Sequence, residues 1–89
     1  MTEKDKELYR AISHILWHDW DPAGINDHEN LWDEYLGYTP HVFKLKKSGA
    51  DKIKIADHLY RIVKVDLGMY GCTTTRDHCK AVAQKIVSL

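Results

Sequence analysis

Between His14 and Glu34 the chain gathers three of its six histidines and six of its thirteen carboxylates. His14 and His18 stand four residues apart, a spacing that puts both imidazoles on one face of a helix. Asp21 follows close behind. Zinc accepts such ligands, but a catalytic zinc is held by three fixed protein groups, and no H-E-x-x-H string is present. Solvent-facing histidines are the plainer reading. The next stretch, Asp19 to Asn30, follows a calcium loop in part. With Asp19 as its first position, Asp21, Gly24 and Asp27 fall where an EF-hand needs them. Calcium takes six to eight oxygens, yet Ala23 and Asn30 stand at two ligand positions and Pro22 interrupts the loop. A stiff turn held by Asp and Asn side chains on nearby backbone N–H groups explains the same residues. A metal-binding protein built on His14, His18 and Asp19 to Asp27 is therefore a third-ranked reading, and no metal ligand set is assigned.

The same region holds six carboxylates, Asp19, Asp21, Asp27, Glu29, Asp33 and Glu34, with no Lys or Arg among them. Like charges this close repel unless they bond to backbone or meet a partner. Asp21 and Asp27 are placed to cap turns, whereas Glu29 and Glu34 have no evident local role and are expected at the surface. All six are the candidate protein-binding residues. Asp33 and Glu34 are adjacent and face different ways on a helix, so they make a poor acid–base pair. Trp17, Trp20 and Trp32 flank the acidic run and are expected to clamp it to the domain. A tryptophan left exposed becomes a candidate anchor, because tryptophan is enriched at binding hot spots. Further on, Cys72, His78 and Cys79 form a second cluster. His78 and Cys79 diverge by ~100° on a helix and so rarely share a metal. Cys79 is expected to be partly buried and Cys72 to sit in a turn. No Ser/His/Asp arrangement and no glycine-rich phosphate loop appears, so no catalytic residue and no cofactor is assigned.

Lys44, Lys46, Lys47, Lys52 and Lys54 form a basic patch over a stretch that echoes part of a helix-turn-helix. DNA reading would need a separate recognition helix after it, whereas the apolar pattern runs on through Ile62 and Val63. The lysines read as a solvated face, and nucleic-acid binding is the runner-up function.

Four helical stretches and no strand position these groups. The first spans about Glu3 to Trp17, with Thr2 as N-cap, Asp5 completing an imperfect capping box, and Leu8, Ile12, Ile15 and Leu16 drawing its apolar stripe. Pro22, Gly24 and Asn26 break the pattern from His18 to Asn30. From Leu31 to Lys47 the residues Leu31, Tyr35, Tyr38, Val42 and Leu45 repeat at helical spacing around Gly37 and Pro40. Proline inside a helix costs ~3 kcal/mol or more, so this element is expected to be kinked or split near Gly37–Pro40, with Thr39 as a fresh N-cap. Gly49 closes it. The third helix follows Asp51, a good N-cap, and runs to about Leu67 with Ile55, Leu59, Ile62 and Val63 inside. After a turn from Met69 to Thr75, the fourth begins near Thr75, with Thr74 and Asp77 at capping-box spacing and Val82, Ile86 and Leu89 as its stripe. The expected fold is all-α, a small bundle of four to five helices forming one domain over residues 1–89.

At 89 residues the chain has room for one core. Its formal net charge is zero, which argues against binding nucleic acid or membranes by bulk charge. No apolar run approaches the ~20 residues of a membrane span. The polar start, Met1 to Arg10, does not read as a signal peptide. Two cysteines are too few for a disulfide framework, so the cytoplasm is the simplest location. The charge is nonetheless unevenly spread. Residues 1–40 hold three basic and nine acidic residues, and residues 41–89 hold ten basic and four acidic ones. Such a split either steers a charged partner or is neutralised where the halves pack together.

The order Trp20-Asp21-Pro22-Ala23-Gly24-Ile25-Asn26-Asp27, then Asp33-Glu34-Tyr35, Tyr38, Pro40, Gly49-Ala50, Ile55-Ala56-Asp57-His58-Leu59 and Leu67-Gly68-Met69 carries a resemblance. From about Trp17 to Leu89 the chain resembles a family of short bacterial helical proteins, a domain of unknown function with a W-D-P-x-G-[VI]-N-D loop and a D-E-Y-x-x-Y helix. It departs from that pattern at Ala23, where an aliphatic residue is commoner, and over Ile62 to Asp66, which lacks the acidic residues seen in the family there. The resemblance implies a small helical fold without known enzymatic activity, and some relatives look like immunity proteins that neutralise a toxin. The leading expectation is a non-enzymatic cytoplasmic bacterial protein, monomer or weak homodimer, that binds a protein partner such as a basic toxin or nuclease. An acidic surface suits such a partner.

Overall fold

Helix α1, Glu3–Ile15, starts where Thr2 turns the chain from extended backbone into a helix. The Thr2 hydroxyl accepts the Asp5 N–H at 3.1 Å, satisfying one of the donors that a helix start leaves open. The computed structural model describes residues 2–21, 24, 26–33, 35–66 and 76–89. Among them lie four α-helices and no strand: α1, α2 (Thr39–Lys47), α3 (Lys52–Arg61) and α4 (Arg76–Val87). The protein is a small all-α bundle. No described helix is long and apolar enough to cross a membrane.

The capping signals at Thr2, Asp51 and Gly49 act as the sequence indicates. The Asp51 carboxylate accepts the Lys54 N–H at 2.9 Å at the start of α3. At the end of α2, Gly49 takes a positive φ of 82°. Its N–H reaches the Lys46 carbonyl, and the Ala50 N–H reaches back to the Leu45 carbonyl at 3.1 Å. This pair of bonds is a Schellman motif, and Leu45 and Ala50 both pack against the core beside it. Reversal in so few residues lays α3 back along α2.

The apolar stripes meet in one core. Ile12 and Leu16 from the first helical segment, Val42 from α2, Ile55 and Leu59 from α3, and Val82 and Ile86 from α4 are all essentially inaccessible to water. Helix α3 packs most extensively on α4, while α1 touches both α2 and α4. Thr39 is the one buried polar residue of this core among the described residues. Its hydroxyl shares a 3.1 Å hydrogen bond with that of Ser13, which also donates to the Tyr9 carbonyl. This is why Thr39 does not serve as the expected N-cap: its oxygen faces α1, and the residue already lies inside the helix with Pro40 in the first turn.

Several expected boundaries shift. Residues 31–38 do not form the short helix expected ahead of the kink. The described residues around this stretch make two single 3₁₀ turns, Glu29–Leu31 and Leu36–Tyr38, and the α-helix begins at Thr39. The Pro40 ring clashes with a helical carbonyl four residues back, at Leu36, so an α-helix cannot run through this point. Helices α1 and α3 each end in a wider π-turn, Leu16–Trp20 and Ile62–Asp66, instead of running on as α-helix. Cys79 is wholly buried instead of partly so, and Leu89 lies beyond the end of α4 and is half exposed. The expected cap at Thr74, the turn carrying Cys72 and the end of the third helix at Leu67 lie outside the described residues.

Among the described residues, two ion pairs bridge the acidic first half and the basic second half. Lys47 meets Asp5 at 2.9 Å and Lys85 meets Asp19 at 3.3 Å. The charge asymmetry is therefore partly neutralised inside the molecule. A hydrogen bond from the Lys47 ammonium holds the Asp5 carboxyl below the usual carboxylate range.

Candidate functional site

The acidic region is built outward from the π-turn after α1. That turn carries Leu16 and Trp20 into the core and ends at Asp21, whose φ of 32° is left-handed. Aspartate tolerates this conformation better than most residues because its short side chain bonds locally. The bonds are present. Asp21 Oδ2 accepts the Asn26 N–H at 3.3 Å, and the Gly24 N–H donates to the Asp21 carbonyl at 3.1 Å. The Asn26 side-chain amide in turn donates to the His18 carbonyl at 3.2 Å. Bonds of the Asp21 and Asn26 side chains to nearby backbone groups, as expected of this stretch, are present among the described residues.

A longer-range contact fixes the turn to the domain. The buried Tyr35 donates its hydroxyl to Asp21 Oδ1 at 2.8 Å. Its ring lies against Trp17 and Trp20, with centroids 5.8 Å and 5.7 Å away, and Trp20 meets Tyr38 edge-on. Offset and edge-to-face aromatic pairs of this kind add stability beyond the area they bury. His78 of α4 completes the anchorage. Its Nε2 lies 3.2 Å from the Trp20 carbonyl, which can only accept, so that nitrogen carries the proton. His78 thus caps the π-turn while its neighbour Cys79 points into the core. Sequence reasoning did not find the Tyr35 role, although the spacing from Asp21 to Tyr35 lies within the motif that carries the resemblance.

The six candidate carboxylates separate into two groups. Asp21 is the staple just described, and Asp19 is engaged by Lys85. Asp27, Glu29 and Asp33 are exposed. Asp27 does not cap a turn among the described residues; it lies 3.6 Å from His28 Nε2, at the surface. Glu34 lies outside the described residues. Two of the three carboxylates that a calcium loop would use, Asp19 and Asp21, therefore already bond to protein groups. His14 and His18 are both exposed, their rings 4.2 Å apart on the outer face of α1 and its π-turn. Among the described residues no group of three His, Cys, Asp or Glu side chains is placed to hold a metal ion.

The tryptophans differ in the same way. Trp20 is buried and Trp17 partly so, as clamps should be. Trp32 is not a clamp: 58% of its surface is exposed. It follows the Glu29–Leu31 turn, and its N–H reaches the Glu29 carbonyl at 3.3 Å. Side chains three apart in such a turn eclipse one another, so the indole and the Glu29 carboxylate share one outward edge. The result is a large apolar group in an acidic rim, held on a segment that the Asp21–Tyr35 staple ties to the core.

On the opposite charge, the basic patch is smaller than its sequence suggests. Lys46 donates to the Val87 carbonyl at 2.8 Å, steadying the end of α4, and Lys47 is taken by Asp5. Lys44, Lys52 and Lys54 remain exposed. Comparison with protein-family models, with curated proteins and with solved structures finds no match to the chain.

Proposed function

We propose that the chain is a non-enzymatic protein-binding module whose acidic segment, Asp27 to Asp33, docks a basic partner around Trp32. The exposure of Trp32 beside Glu29, with Asp27 and Asp33 at the surface of the same segment, is the observation that carries this reading. Monomeric proteins place most large aromatic groups inside, and an exposed indole with a polar rim has the anatomy of an interface hot spot. The carboxylates would speed encounter with a basic surface and set orientation, while the indole would supply most of the affinity. A toxin-neutralising immunity protein of the bacterial cytoplasm is the particular form that the family resemblance suggests, with a basic toxin or nuclease as the partner. The nucleic-acid reading has less support, because two of its five lysines bond within the molecule.

The test is co-expression with the product of the neighbouring gene in the native genome. The chain should protect cells from that product and co-purify with it. Trp32→Ala should lose both properties while remaining folded. Protection by the variant equal to that of the natural chain would remove Trp32 from the interface.

A further inference from the structure

We propose that His14 and His18 form a two-imidazole chelate for a copper(II) ion on the outer face of α1 and its π-turn. The pair shares no residue with the acidic segment around Trp32. Both side chains are exposed, and their ring centroids lie 4.2 Å apart with the planes tilted by 37°. Among the described residues neither imidazole meets any other hydrogen-bonding, charged or aromatic group, so the ring nitrogens are uncommitted.

The backbone sets this approach. In an α-helix four residues overshoot a full turn by about 40°, so side chains four apart are offset around the axis. The π-turn Leu16–Trp20 begins between the two histidines. A π-turn takes more residues per turn, which draws His18 back over His14. The His18 carbonyl accepts the Asn26 side-chain amide at 3.2 Å, so its ring hangs from a fixed point. His18 also lies in the last turn before Asp21, where the carbonyl end of a helix favours a cation.

The separation of the rings selects the metal. With metal–nitrogen bonds of about 2.0 Å, two imidazoles at a right angle on one ion have centroids about 4.4 Å apart, and at the tetrahedral angle about 5.1 Å. The observed 4.2 Å suits the right angle of a tetragonal copper site better than tetrahedral zinc. Copper(II) also takes nitrogen ligands most tightly among the divalent first-row ions, so two imidazoles hold it while water fills the remaining positions. Histidine turns easily about its Cβ–Cγ bond, and both rings face solvent, so one nitrogen of each can be brought onto a shared ion. The other described histidines are worse placed. His41 and His58 lie 4.8 Å apart, but the His58 Nε2 is buried. His78 Nε2 is committed to the Trp20 carbonyl, and His28 stands beside Asp27.

The experiment titrates copper(II) chloride into the natural chain at about pH 7.5, where imidazoles are largely neutral and able to bind metal. Proton–carbon correlation NMR follows the histidine ring signals, and calorimetry measures the affinity. Below one equivalent the paramagnetic ion should broaden His14 and His18 before any other histidine. His14→Asn and His18→Asn should each weaken binding at least tenfold, whereas His41→Asn and Cys72→Ser should leave it unchanged. Both positions of the pair are exposed, so the variants should fold; unchanged circular dichroism confirms it. Zinc chloride should bind at least tenfold more weakly than copper. Because the chelate needs the folded helix, copper should raise the urea midpoint of the natural chain and that of His14→Asn by less. Earlier broadening of another histidine, affinity that survives either replacement or is lost with Cys72, equal affinity for zinc, or equal midpoint shifts in the natural chain and His14→Asn would each overturn the proposal.

Discussion

Removing one oxygen, in Tyr35→Phe, tests the staple that ties the acidic segment to the core. The Tyr35 ring is buried against Trp17 and Trp20, and phenylalanine preserves those contacts, so the change isolates the 2.8 Å bond to Asp21. Hydrogen bonds to charged groups contribute about 1.5–3 kcal/mol. Asp21 is only partly buried and keeps its bond from the Asn26 N–H, so water and backbone replace part of what is lost. The lower end, about 1.5 kcal/mol, is therefore expected. For a chain of this size that corresponds to a fall in Tm of about 6–12 °C. Urea unfolding followed by tryptophan fluorescence reads the change directly, with an unchanged slope showing that the compactness of the unfolded state is unaltered. Asp21→Ala should cost more, because it loses the bonds to Tyr35 and to the Asn26 N–H and leaves alanine at a left-handed φ. A double-mutant cycle should return a coupling of about 1 kcal/mol or more between the two positions. A Tyr35→Phe variant within about 0.5 kcal/mol of the natural chain, the usual range for inert surface changes, would refute the staple.

Four further outcomes follow from the same geometry. Trp20→Ala should cost about 3–5 kcal/mol, as for other buried aromatics, whereas Trp32→Ala should stay within about 0.5 kcal/mol; chemical denaturation of both variants checks the contrast. Gly49→Ala forces a side chain into a φ of 82° and should destabilise by about 1–2 kcal/mol in the same assay, although its added carbon meets nothing within 4 Å. Because the folded state depresses the Asp5 pKa, the Asp5–Lys47 contribution is fully present above the ordinary carboxylate value of about 3.9 and disappears as pH falls through the lowered one. The stability difference between the natural chain and Asp5→Asn should therefore persist at neutral pH and vanish towards pH 2, as measured by urea unfolding across that range. Replacing Glu29 and Asp33 together by Gln and Asn should leave Tm nearly unchanged yet slow association with the partner and flatten its salt dependence in stopped-flow measurements.

Thr2, Asp51 and Gly49 show why much of the fold could be read from the chain. Each acts through bonds to residues three to five positions away, so its chemistry is complete within a short window of sequence. The stripes of α1, α3 and α4 are legible for a related reason: a buried face leaves its period in the residue order. The segment from Leu31 to Tyr38 was not legible, because 3₁₀ and α turns place apolar residues at nearly the same spacing. What decides between them is Pro40 ahead and the bond of Tyr35 to Asp21 behind. The π-turn after α1 is hidden as well, since the Trp20 carbonyl is capped by His78, distant in sequence. In the candidate site, the local turn and the exposure of Glu29 were readable. That Asp19 is spent on Lys85 depends on how α4 and the π-turn pack. The His41–His58 contact is likewise a product of register across the α2–α3 hairpin, with no signature in either helix alone.

The most direct test of the acidic interface is an equilibrium titration of the co-purified partner against the natural chain and Trp32→Ala at matched salt. A hot-spot tryptophan contributes at least about 2 kcal/mol, so Kd should rise roughly thirtyfold or more while the unfolding midpoint of the variant stays unchanged. An unaltered Kd in a folded variant would contradict the account and place the partner elsewhere on the molecule.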